Sequence, residues 1–109
     1  MQTLKFIVDG QTITLDPGCD TNYLVSGTNG YVKAKFTFSR EWDRCVKVAA
    51  FYSNLGTEYP PQALKHGEVC DIPPEALKKS IFKVKVFGKK NDYTICTNKV
   101  TVRQKGGSV

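Results

Sequence analysis

The groups in this 109-residue chain that could do acid–base, nucleophilic or metal chemistry are one histidine, four cysteines and ten carboxylates, and their spacing keeps them apart. His66 stands before Gly67 in a turn-forming pair, where an exposed histidine is far commoner than a general base. A couple with Cys70 is open in space, yet no flanking motif marks a nucleophile. Cys19, Cys45, Cys70 and Cys96 lie about 25 residues apart without a C-x-x-C pair, which does not suggest zinc. In a reducing compartment they read as small buried or half-buried thiols, and spacing alone does not decide whether any pair is oxidised. Gly27, Gly30 and Gly56 form no phosphate-cradling loop, because neither G-x-x-x-x-G-K nor G-x-G-x-x-G occurs. The expectation is a protein with no catalytic, cofactor-binding or metal-ligating residue, acting by binding another macromolecule.

Binding chemistry is better represented. The net charge is +6, carried by sixteen lysines and arginines against ten acids. The basic residues fall in scattered pairs, Lys33 and Lys35, Lys78 and Lys79, Lys83 and Lys85, Lys89 and Lys90. Outward lysines also discourage edge-to-edge pairing of sheets, so solvated strand faces are favoured over a nucleic-acid patch. The run Tyr31-Val32-Lys33-Ala34-Lys35-Phe36 interleaves rings with cations as stacking platforms for single strands do. Strand alternation, however, sends Phe36 and Phe38 to the face opposite the lysines, leaving Tyr31 beside Lys33 and Lys35. Tyr59-Pro60-Pro61 is a stiff segment that loses little entropy on docking, or else guards a sheet edge. Tyr31, Lys33, Lys35, Tyr59, Pro60 and Pro61 are therefore the candidate interface. Tyr23, Tyr31, Tyr59 and Tyr93 would be the ring platforms of a carbohydrate-binding sandwich.

The elements that must position these residues are short strands. Leu4 to Val8, Asp9-Gly10 and Gln11 to Leu15 read as a hairpin with a type I′ turn. Asp16-Pro17-Gly18 stops the second strand, and a loop follows through Asn22, Gly27, Asn29 and Gly30. Tyr31 to Phe38 alternates as a half-buried strand. Trp42, in the polar turn Ser39 to Arg44, is placed to plug one end of the core, and Cys45 to Tyr52 continues as strand. The two prolines restrict the next stretch to a short edge strand or extended loop near Gln62 to Leu64. Val69 to Ile72 precedes a short helix near 73–79, signalled by a proline start, an early acid and late lysines. Phe82, Val84 and Val86 alternate with Lys83, Lys85 and Phe87, a polar turn at Gly88 to Asp92 leads to Tyr93 to Thr97, and Val100 to Val102 closes the series. The fold class expected is all-β, an antiparallel Ig-like β-sandwich of seven to eight short strands with one short helix near 73–79. Residues 1–103 form the domain, and 104–109 have the composition of a flexible tail. The opening residues lack a signal-peptide apolar region and a membrane-spanning run.

The succession Trp42, Cys45 to Tyr52, Cys70-Asp71-Ile72-Pro73-Pro74-Glu75-Ala76-Leu77, Phe82 to Gly88 and Thr97 to Val102 resembles small β-sandwich modules of tailed bacteriophages. It is similar to the amino-terminal domains of baseplate and tail-fibre proteins, over about residues 31 to 103. The resemblance implies a non-enzymatic virion protein, on head or tail, that binds capsid or tail proteins as a symmetric homo-oligomer or in a symmetric array. It implies synthesis in a bacterial cytoplasm and residence in the virion. No site residue carries over, since Trp42 and Phe82 match as core and Pro73 and Pro74 as a helix start. The sequence ends soon after the matching region, without a receptor-binding part, which favours an accessory or decoration role. An effector that binds a host defence protein or nucleic acid is the alternative, and a carbohydrate-binding sandwich is the third.

Overall fold

The computed structural model of the protein describes residues 2–19 and 32–103. The expected loop through Asn22, Gly27, Asn29 and Gly30, the rings Tyr23 and Tyr31, and the tail at 104–109 lie outside the described residues. The chain folds as an all-β sandwich of two sheets with about nine strands. In chain order they are β1 (Gln2–Asp9), β2 (Thr12–Leu15), β3 (Val32–Phe38), β4 (Val46–Ser53), β5 (Gln62–Ala63), β6 (Val69–Asp71), β7 (Ile81–Lys90), β8 (Tyr93–Cys96) and β9 (Val100–Arg103). The first sheet runs β2-β1-β3-β6. The second runs β5-β4-β7, with β8 and β9 lying one after the other along the free edge of β7.

The pairing departs from a purely antiparallel Ig-like arrangement at one place: β1 and β3 are parallel, with Leu4 opposite Ala34 and Phe6 opposite Phe36. β2 occupies one edge of β1 through the hairpin, which leaves the other edge to β3. The returning chain enters at the start of β1 and runs beside it. The register puts Leu4, Phe6, Val8, Ala34 and Phe36 inward, all at most 1% exposed. Phe6 and Phe36 stack with centroids 5.1 Å apart. Across the interior stand Phe51, Phe82, Val84 and Val86 of the second sheet, at 0% exposure. Burying one such side chain stabilises the fold by about 1.5–3 kcal/mol, so the alternation itself selects the sandwich.

Trp42 seals one end, as its position predicts. It is fully buried, and its indole N–H donates to the Gly10 carbonyl at 2.8 Å. The Gly10 N–H in turn donates to Ser39 Oγ at 2.9 Å, so the β1–β2 turn is pinned to the β3–β4 connection. An ideal Cβ on Gly88 would come within 2.7 Å of two carbons of the indole, so only glycine lets the ring lie on β7. Gly88 is therefore a strand residue and not the start of a turn. The β7–β8 hairpin turns instead at Asn91-Asp92, with Lys90 opposite Tyr93. The first hairpin also differs from expectation: Asp9 pairs with Thr12, leaving Gly10-Gln11 as the turn. Gly10 has φ 58 while Gln11 is not left-handed, which matches the single demand of a type II′ turn and not the double demand of type I′. The helix expected over 73–79 is a single turn, Pro74–Leu77, with Ala76 and Leu77 buried and Lys78 and Lys79 beyond it. One turn is held by packing and not by propensity, so it ends where its apolar contacts do.

Thr97 and Asn98 fill the break between β8 and β9. Thr97 is buried at 3% exposure, and its hydroxyl oxygen accepts the Val86 N–H at 3.1 Å, replacing a ladder carbonyl. Asn98 reaches the opposite sheet: Oδ1 accepts the Ile13 N–H at 2.9 Å, and the Asn98 N–H donates to the Gln11 carbonyl at 3.1 Å. The free edge of β2 is thereby capped by a side chain of the other layer.

Candidate binding surface

Each sheet turns one face to the core and one to solvent. On the second sheet the register aligns Val46 with Lys89, Val48 with Phe87, Ala50 with Lys85 and Tyr52 with Lys83 on the outer face. Beyond β7 the row continues with Thr94 and Cys96 on β8, and Thr101 and Arg103 on β9. One acid joins these rows, Glu58, which bridges to the free side of Tyr52, away from the Val46 end. Ala50 and Tyr52 are buried without belonging to the central cluster. Basic side chains lie over the face's rings: the Lys99 ammonium stands 4.1 Å from the Tyr52 centroid, and that of Lys85 5.0 Å from Phe87. Burial, followed by the nearby Glu58 carboxylate, raises the pKa of the Tyr52 phenol.

At the end of this face nearest Trp42 the cover opens. Arg44, Val46, Val48, Phe87, Lys89 and Lys90 line a groove of about 900 Å³. Val46 is 72% exposed, and beside it Val48 and Phe87 are half-buried, so the opening has an apolar base. Arg44 stands at the mouth in the left-handed region, φ 63, where the chain swings from the 3-10 turn Arg40–Trp42 into β4. The floor is apolar and the rim cationic. Lys33 and Asp71 form an ion pair on the other sheet, whereas no ion pair between described residues ties Arg44, Lys89 or Lys90 to a carboxylate.

The sequence-predicted interface residues are divided between the two sheets. Lys33 and Lys35 project from β3, where Asp71 pairs with Lys33 and Val69 stands opposite Lys35. The Lys33 ammonium, through its hydrogen bond, holds the Asp71 carboxyl below its ordinary range. With Thr3 and Lys65 these residues surround a smaller depression of about 350 Å³. Tyr59, Pro60 and Pro61 lead into β5 at the edge of the second sheet. Tyr59 is half-buried against the core and donates its N–H to the Phe51 carbonyl at 2.8 Å, whereas both prolines are exposed. Tyr93, the remaining described ring of the carbohydrate reading, is 42% exposed, with its hydroxyl donating to the Glu41 carbonyl and Lys90 5.5 Å from its centroid. The residues missed by sequence reasoning are Arg44, Val46, Lys89 and Lys90. The signal available was the outward row of β7, in which Phe87 shares its parity with Lys83, Lys85 and Lys89.

The groups singled out for chemistry are not gathered together. All four cysteines are free. Cys70 is 2% exposed, and burial, with Asp71 adding to it, pushes its thiol up to about 12, so it stays protonated and a poor nucleophile near neutrality. His66 is exposed in the turn between β5 and β6, at φ 54, while Cys70 points into the core. Among the described residues no three His, Cys, Asp or Glu side chains group as metal ligands, and no helix is long and apolar enough to cross a membrane. Comparison of the chain with protein-family models, with curated proteins and with solved structures finds no match.

Proposed function

We propose that the protein is a non-enzymatic binding module working through the outer face of its second sheet, and that it serves as a small accessory protein of a phage particle. The observation that carries the first part is the Val46–Phe87 floor beside Arg44, Lys89 and Lys90, which form no ion pair among the described residues. An exposed apolar strip costs solubility unless a partner covers it, and cations without acids favour a partner of opposite charge. The second part rests on the resemblance of residues 31–103 to phage sandwich modules. Quantitative mass spectrometry of purified particles tests it. A fixed copy number per particle sustains the reading; failure to find the chain in particles ends it.

A second reading, nucleic-acid binding, draws on the lysine row Lys83, Lys85 and Lys89 along β7. It requires log K to fall linearly with log salt for an oligonucleotide, and an affinity insensitive to salt removes it.

A further inference from the structure

We propose that the groove formed by Arg44, Val46, Val48, Phe87, Lys89 and Lys90 takes an acidic polypeptide segment anchored by one large apolar side chain. This rests on the reading that the second sheet carries the working surface, and it names the partner's chemistry.

The groove has two halves that select for different things. Val46, Val48 and Phe87 form an aliphatic and aromatic floor at the junction of β4 and β7, and Val46 is the most open of them. An apolar side chain seated there removes surface from water on both partners. Around it, Arg44, Lys89 and Lys90 present cations that have no carboxylate partner among the described residues. Carboxylates flanking the anchor would meet them at the rim and steer the approach. A segment with both features satisfies the whole groove. A second copy of the same face does not, because cations would oppose cations.

A single nucleic-acid strand fits less well. Stacking of successive bases needs a series of open ring faces, and the paired rows of β4 and β7 offer only Tyr52, which Lys99 overlies, and Phe87. A phosphate chain would use the lysines but leave Val46 uncovered.

The test uses fluorescence anisotropy with three labelled probes at low salt: an Asp/Glu-rich peptide with a central Leu-Phe, the same peptide with Ser-Ser at the centre, and a fifteen-nucleotide oligo(dT). The Leu-Phe peptide is expected to bind the full chain about tenfold more tightly than either other probe, the gain of burying an anchor side chain. Val46→Asp, at an exposed position that tolerates a charge, abolishes that margin. The double variant Lys89→Glu with Lys90→Glu weakens both peptides and flattens their salt dependence. Lys35→Glu, on the other sheet, changes neither. Equal binding of the two peptides, tighter binding of oligo(dT), or a margin that survives Val46→Asp overturns the proposal. The two readings fail separately. A chain missing from particles that keeps the peptide margin loses only the particle role. A chain present in particles without the margin loses only the groove.

Discussion

On the first sheet the outer face sets Lys33 against Asp71 and carries Thr3, Thr12, Thr14 and Thr37 along its rows, with Lys5, Lys35 and the partly open Ile7 among them. On the second sheet the corresponding face carries Lys83, Lys85, Lys89 and Arg103, with Glu58 opposite Tyr52 as the acid in these rows, above Ala50, Tyr52 and Phe87, and it ends in the open Val46. Both faces belong to strands with the same inward alternation and share one core. The difference is therefore not a requirement of folding. A face rich in threonine, with one cation held by an acid, is finished by solvent, whereas cations around an apolar floor are finished by a partner.

The comparison breaks most completely where the two sheets share their interior. Trp42→Ala empties a fully buried indole site and is expected to cost about 3–5 kcal/mol. Gly88→Val drives side-chain carbon into the same ring and is expected to destabilise the chain by about 1–3 kcal/mol or more. Denaturant unfolding measures both, and full stability of Gly88→Val would mean that the indole can leave β7. Thr97→Val acts on the second sheet alone, leaving the buried Val86 N–H without its acceptor, at about 1–3 kcal/mol by the same measurement.

Asn98→Ala separates the layers more gently. The Ile13 N–H loses its acceptor at a part-buried site, so a loss of about 1–2 kcal/mol and faster hydrogen exchange at Ile13 are expected. Slowed or unchanged exchange would show that the clasp is dispensable. The outer faces themselves should matter least to stability. The Asp71 side chain is 50% exposed, so breaking its pair with Asp71→Asn is expected to cost under about 1 kcal/mol. Its folded-state carboxyl titrates below the unfolded value, so the contribution is present above about pH 4 and fades as pH falls through the lower folded value. Asp71→Asn should flatten that acid limb in a pH series of melts. Lys85→Glu on the second sheet relieves like-charge crowding but loses the contact over Phe87, and a net change within about 0.5 kcal/mol is expected.

Much of the fold was legible from local signals. Alternation at Val32 to Phe38 and at Phe82 to Val86 identified both central strands and their inward sides, because a pleat repeats every two residues wherever it lies. The prolines at 60 and 61 announced the edge position of β5. The turns were less legible. Gly88 reads as a turn residue until the indole that needs its missing Cβ is placed beside it, and Asp9-Gly10 does not reveal which of its neighbours completes the turn. The groove was least legible, since Arg44 and Val46 lie more than forty positions from Lys89 and Lys90.

The amino-acid sequence by itself determined the class of structure, the inward and outward sides of β3 and β7, and the excess of cations. Those properties depend on residue type and on a two-residue period. Tertiary structure decided the parallel union of β1 with β3, the Asn98 clasp between the layers, and the strand register that sets Val46 beside Lys89. These are pairings between distant segments, chosen by competition for the same edges and the same interior, and no short window of residues contains both competitors.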